Sequence, residues 1–257
     1  MKKIALTIIA ALSCILSANA QTVTKNYTVK NFTGITASHM FTIEVTKGNK
    51  YSMSIEAPEN LFDEIRIRQH DKELDLSLKN DLPKKLRDVK ESIYVKITMP
   101  NLDEVELSGA AKLIGIGVFT STSGEFKAEV CGASRIKDLC IEATKVEIEL
   151  SGASRADIFV DAREVDGEVC GASKLVLTGN APKINIEASG ASAINAKNIN
   201  CKYMDLEADG ASKAIVNVTE TLKVDLSGAA KCEYIGPEDI NLRVDNISGA
   251  STLKRVK

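Results

Sequence analysis

Apolar and polar residues alternate in short runs along most of the chain. Val146, Ile148 and Leu150 are separated by Glu147 and Glu149, and Val105 and Leu107 flank Glu106. A period of two sends successive side chains to opposite faces, so each run predicts a half-buried β-strand and not a helix. The same alternation is clear in Phe41-Ile43-Val45, Tyr51-Met53-Ile55, Leu74-Leu76-Leu78 and Ile93-Val95-Ile97. Between these runs, Asn60 to Glu64 predicts one helical turn, and the polar, basic stretch Asn80 to Lys90 predicts a loop.

From residue 108 onward every run ends in the same short phrase. A small residue is followed by Gly-Ala and then Ser or Ala, with the glycine at Gly109, Gly132, Gly152, Gly171, Gly190, Gly210, Gly228 and Gly249. Successive glycines are 23, 20, 19, 19, 20, 18 and 21 residues apart. One strand pattern repeated at a nearly constant spacing marks a solenoid. The expected fold is therefore all-β: a single-stranded, right-handed parallel β-helix with coils of about 20 residues, right-handed because parallel crossovers almost always are. Glycine suits a coil corner because it accepts the positive φ that a Cβ opposes. The alanine after it is expected to fill a tight inward corner with room for little more than a methyl group. In the last coil Asp245-Asn246 adds one residue before Ile247, which predicts a bulge. Residues 22–107 keep the alternation without the Gly-Ala corner, and are expected to form longer, less regular coils capping the same stack. Residues 21–257 are thus read as one β-helix domain, regular over 108–257.

The first 20 residues read as a signal peptide. Lys2 and Lys3 precede the apolar run Ile4 to Leu16, and Ala18-Asn19-Ala20 fits a small-residue cleavage site. That run is shorter than the roughly 20 residues needed to span a bilayer, and no second one follows, so no transmembrane span is expected in the mature chain. Lipidation at Cys14 is the alternative; Ala11-Leu12-Ser13 is a poor approach to such a site. Export to the periplasm, the outer-membrane surface or the medium follows. Of 257 residues, 33 are basic and 35 acidic, and losing Lys2 and Lys3 leaves a net charge near −4. General attraction to nucleic acid or anionic membrane is not expected from that balance.

Aligned on the corner glycine, the coils show two columns of charge. Three residues before it stand Glu106, Glu129, Glu149, Glu168, Glu187, Glu207, Asp225 and Asn246. Three residues after it stand Lys112, Arg135, Arg155, Lys174, Ala193, Lys213, Lys231 and Thr252. In a stack each column repeats every ~4.8 Å. Like charges that close repel, and a column of opposite sign across the corner is expected to compensate. One reading is a pair of solvated faces; the other is a basic ladder of Lys112, Arg135, Arg155, Lys174, Lys213 and Lys231 that grips an anionic partner such as an acidic glycan or another cell-surface component. A column of single carboxylates lacks the convergent oxygens that calcium prefers, so no metal is expected there.

Little else carries chemistry. His39 and His70 lie in the irregular part with no nucleophile suggested by spacing, and are expected to be surface or packing residues. Five cysteines follow the signal peptide: Cys131, Cys140, Cys170, Cys201 and Cys232. Cys131 and Cys170 replace the small residue before the corner glycine and are expected to be buried small hydrophobes. No C-x-x-C spacing suggests a metal. No cofactor and no catalytic residue is expected. A polysaccharide lyase or hydrolase on a β-helix remains the alternative, since such enzymes use this architecture, although fold alone does not confer activity. Tryptophan is absent and aromatics make up 4% of the chain, which argues against a sugar-stacking cleft.

Phe32-Thr33-Gly34-Ile35, Met99-Pro100-Asn101-Leu102 leading into Val105-Glu106-Leu107-Ser108-Gly109, and the Ser-Gly-Ala-Ser series together resemble the putative auto-transporter adhesin, head GIN domain family. The resemblance spans essentially the whole chain after residue 20. It implies an exported, adhesin-like β-helix protein of Bacteroidetes, a binding or structural module with no catalytic residues to transfer. No membrane-barrel translocator follows in the sequence, and the oligomeric state stays open.

Overall fold

The computed structural model describes residues 22–79 and 93–256. The expected signal peptide with Cys14, and the loop expected from Asn80 to Lys90, lie outside the described residues. The chain is a β-solenoid of two facing sheets, with 13 strands in the first and 11 in the second.

The N-terminal part supplies β1 (Thr22–Tyr27), β2 (Gly34–Ala37), β3 (Phe41–Lys47), β4 (Ser52–Pro58), β5 (Ile65–His70), β6 (Glu73–Leu78) and β7 (Ile93–Met99). A 3₁₀ turn at Glu59–Leu61 stands where a helical turn was expected. β2 pairs in parallel with β6, and β3 with β7, as coils should. The expectation of parallel coils throughout is corrected at two strands: β4 runs antiparallel between β1 and β7, and β5 antiparallel to β6. Alternation reports which residues face the core but not the direction of the strand that carries them.

Eight coils follow, each giving one strand to each sheet except the first, which gives two to the first sheet. They are β8 (Glu104–Leu107) with β9 (Lys112–Ile116) and β10 (Val118–Thr120); β11 (Glu125–Val130) with β12 (Arg135–Glu142); β13 (Lys145–Leu150) with β14 (Arg155–Asp161); and β15 (Glu164–Val169) with β16 (Lys174–Asn180). Then come β17 (Lys183–Ala188) with β18 (Ala193–Asn200); β19 (Tyr203–Ala208) with β20 (Lys213–Asn217); β21 (Thr221–Leu226) with β22 (Lys231–Ile235); and β23 (Asn241–Ile247) with β24 (Thr252–Arg255). Strands of the same sheet in successive coils pair in parallel. The bulge predicted in the last coil is present, with Asp245 skipped between Val224↔Val244 and Asp225↔Asn246. Two further register shifts, at Ile136/Leu139 and Val176/Thr178, have no counterpart in the alternation pattern.

The inward positions of every coil join one continuous core. Ile148, Val165, Ile186, Leu206 and Val224 fill it between the sheets, and Phe32, Phe41, Phe119 and Phe126 are fully buried. Burying each large apolar side chain contributes roughly 1.5–3 kcal/mol, so most of the driving force lies in this column.

At the corners the glycines take φ from 69° to 76°. A second constraint accompanies this one. The alanine N–H of each coil donates to the glycine carbonyl of the coil before it, at 2.7 Å from Ala133 to Ala250. A Cβ on Gly152 would lie 2.8 Å from that carbonyl of Gly132, and one on Gly190 2.8 Å from that of Gly171. The stacking itself therefore demands glycine. The inward-corner reading of alanine is corrected: Ala133, Ala153, Ala172 and Ala191 are exposed, and the following Ser134, Ser154, Ser173 and Ser192 point inward and are buried. Leu150, Ser154 and Ala156 keep one alternation through the turn, which puts Ala153 on the outward side and Ser154 on the inward side.

His39 belongs to the same column. Its φ is 67°, and its carbonyl accepts the Ala110 N–H at 2.7 Å as the glycines do. Thr36 pairs with Glu106 and Thr42 with Lys112, so His39 turns the first corner of the stack without a glycine. Its Nδ1 lies 2.7 Å from the Ser38 hydroxyl. His70, by contrast, lies at the exposed end of β5 beside Asp71.

Candidate functional site

The structure places both predicted columns in register. On the second sheet Glu129 pairs with Glu106 and Glu149, Glu168 with Glu149 and Glu187, and Glu207 with Glu187 and Asp225. On the first sheet Arg135 pairs with Lys112 and Arg155, Lys174 with Arg155 and Ala193, and Lys213 with Ala193 and Lys231. Both columns face outward, because the intervening residues such as Val130, Ile136 and Ala156 fill the core.

The expected compensation across the corner is absent. Among the described residues no ion pair joins the two columns, and Lys112, Arg135, Arg155, Lys174, Lys213 and Lys231 enter no ion pair at all. The columns leave the solenoid on opposite sheets, so the corner separates them. Part of the acidic column is instead relieved by a lysine of its own sheet, and other lysines there pair with neighbouring carboxylates. Lys127 contacts Glu129 and reaches Glu149 at 3.4 Å; Lys145 bridges Glu147 and Asp166; Lys223 bridges Asp205 and Asp245. Hydrogen bonding to Glu129 and the nearby carboxylates hold Lys127 well above the ordinary lysine range. Lys127 and Lys145 were legible as lysines two residues from a glutamate on the same strand face.

Relief stops partway along the stack. A shallow groove lined by Glu168, Glu187, Glu207, Asp209 and Asp225 runs along the second sheet, and among the described residues these five form no ion pair. Burial, and then repulsion from Glu129, Glu104 and Glu73, raises the carboxyl of Glu106. Among the described residues no His, Cys, Asp and Glu converge as metal ligands would.

The cysteine expectation is corrected at Cys131 and Cys170. Cys131 is exposed and Cys170 half-buried, because the position before the corner glycine faces outward with the acidic column. Cys201 and Cys232 are the buried pair of types, their thiols pushed up to about 12 by desolvation. All five described cysteines are free. A short apolar ridge that the sequence reading missed lies on the first sheet, where Val118, Cys140 and Phe159 stack in register beside Ile116.

Among curated proteins none matches the chain. Solved structures do share its fold. A protein described as a putative adhesin from Parabacteroides merdae superposes with a TM-score of 0.82 at 20% identity, covering 93% of this chain and 98% of that one. A putative adhesin from Parabacteroides distasonis gives 0.81 at 17% identity, covering 92% and 98%. A protein of the same organism described as a putative lipid binding protein gives 0.77 at 16% identity, covering 93% and 98%. The family model described as "Putative auto-transporter adhesin, head GIN domain" matches residues 31–237. With the solenoid, its Gly-Ala corners and that match in hand, the chain belongs to the family described as "Putative auto-transporter adhesin, head GIN domain".

Proposed function

We propose that the protein is an exported, non-catalytic binding module of the cell envelope, and that its basic ladder holds an extended acidic glycan. The observation that carries this reading is the set of six uncompensated cations of the first sheet, Lys112 to Lys231, repeated at the pitch of the stack. A polymer with regularly spaced anions can satisfy several such groups at once, and the weak individual attractions add along its length. The spread of carboxylates in columns, without an isolated facing pair, supports binding over glycoside chemistry. Membership of an adhesin-like family supports export and surface display.

The test is retention of the purified mature chain on heparin-agarose. Wild type should bind at low salt and elute as salt screens the ladder. Arg135→Ser, Arg155→Ser and Lys174→Ser together should abolish retention with an unchanged circular dichroism spectrum. Lys197→Ser with Lys254→Ser, off the ladder, should leave it intact. Equal retention of wild type and the triple variant removes the proposal.

A further inference from the structure

Acid and base are matched coil by coil across the corner. Glu168 shares a coil with Lys174, Glu207 with Lys213, and Asp225 with Lys231, and the earlier coils repeat the pattern from Glu106 with Lys112 onward. The last coil, with Asn246 and Thr252, carries neither charge, and the coil of Glu187 and Ala193 carries the acid alone. Within one chain this matching neutralises nothing, because no ion pair crosses the corner among the described residues. Between the ladders the edge of the solenoid is narrow: outside the turn it offers serine or cysteine, or Asp209 in one coil, then glycine and the exposed alanine methyl. Nothing bulky prevents another surface from approaching both ladders together.

We propose that a second copy of the chain docks along this edge, the two solenoids side by side and parallel about a two-fold axis that runs along the stack. A half-turn about that axis sets the acidic ladder of each copy opposite the basic ladder of the other, on both sides of the seam. Antiparallel docking of the same edges would set acid against acid and base against base, so charge complementarity selects the parallel pair. The contact is isologous and closes at two copies. Both ladders ride on one stack and share its ~4.8 Å repeat, so the charges stay matched from coil to coil without drift. Seven coil-to-coil steps span about 34 Å, and a seam about 15 Å wide then buries about 1,000 Å² over both copies, the lower limit for specific association. The dimer is therefore weak and salt-sensitive. This inference rests on the reading of the basic ladder as a binding surface and adds a second occupant: the acidic ladder of another copy competes there with an acidic glycan.

Sedimentation velocity of the mature chain tests it. A dimer is expected in about 20 mM salt and a monomer in about 500 mM, where the screening length shrinks severalfold. Reversing the bases (Lys174→Glu, Lys213→Glu and Lys231→Glu) or the acids (Glu168→Lys, Glu207→Lys and Asp225→Lys) should weaken self-association at least tenfold. An equimolar mixture of the two variants should recover the dimer, because each then meets its opposite along the whole seam. Orientation is read by cross-linking in a background of Cys131→Ser, Cys140→Ser and Cys170→Ser. Ala133→Cys should oxidise to a covalent homodimer, since residues on a two-fold axis meet their own copies; cross-linking of Ala133→Cys to Ala229→Cys instead overturns the parallel pair. A wild type that stays monomeric at low salt, or a mixture that fails to recover association, overturns the dimer. The glycan reading is separable: the acid-reversed variant should bind heparin at least as well as wild type whether or not the dimer exists.

Discussion

Replacing Gly152 isolates the two constraints that make a corner. Its φ of +76° lies in the left-handed region, and an added Cβ would stand 2.8 Å from the Gly132 oxygen and 3.1 Å from the Gly132 nitrogen. Placing an L-residue there costs about 1–2 kcal/mol, and more when the side chain is β-branched. The Gly132 oxygen also accepts the Ala153 N–H at 2.7 Å, so moving it aside weakens a bond with a net worth of about 0.5–1.5 kcal/mol. Gly152→Val should therefore destabilise the chain by about 2–4 kcal/mol, the sum of strain and a damaged rung. Gly167 supplies the contrast. It has no left-handed φ, and its nearest neighbour for a Cβ is Ile186 Cγ1 at 3.4 Å, ordinary contact in a core column. Gly167→Ala should be neutral or stabilise by about 0.4–1 kcal/mol, because it restrains the unfolded chain without straining the folded one. Urea unfolding of wild type and both variants, compared through midpoint and slope, measures the difference. An unchanged midpoint for Gly152→Val, or an equal loss for Gly167→Ala, would refute the stacked-corner argument.

Two further outcomes follow from the columns flanking the corner. The hydroxyl of Ser192 is buried with no hydrogen-bond partner, and Ala111 and Ala230 occupy the same inward position in other coils. Ser192→Ala should thus stabilise by up to about 1 kcal/mol. Ser173→Ala should cost about as much, because Ser173 Oγ donates to the Cys170 carbonyl at 2.6 Å; thermal melts with the signs exchanged would contradict this. The carboxyl of Glu106 titrates above its ordinary value in the folded chain, owing to burial and neighbouring acids. The folded state then holds the proton more tightly than the unfolded one, so stability falls as pH rises through the folded pKa. Glu106→Gln should raise the urea midpoint at about pH 7 and leave it unchanged at about pH 3, where both forms are neutral; a gain that persists in acid would point to packing instead.

The repeat of the corner glycine was legible because a backbone constraint leaves a residue type behind it. The charge columns were legible because the spacing between glycines puts equivalent residues in register, as the pairing of Arg135 with Arg155 shows. His39 was not, since histidine also enters the left-handed region and no Gly-Ala marks that rung. The direction of β4 and β5 was hidden for a different reason: parallel and antiparallel strands bury the same alternate residues. The exposed alanines and Cys131 were legible after all: carrying the alternation from Val130 through the corner to Ser134 and Ile136 puts Cys131 and Ala133 outside, and small size alone was the wrong guide. Missing compensation between the ladders required knowing that the corner divides them between two sheets.

Because each corner rests on another corner of the same kind, one coil makes the same contacts as the next. The Ala133, Ala153, Ala172 and Ala191 bonds to the preceding glycine carbonyls are interchangeable at 2.7 Å. A whole coil can thus be duplicated or deleted in the gene without inventing a new interface, since stability in such an array is a sum over neighbouring units. Duplicating any coil that carries both charges, such as that of Glu149 and Arg155, adds one rung to both ladders, so chain length sets valency, and reach along a partner evolves by counting coils while the chemistry of each rung stays unchanged.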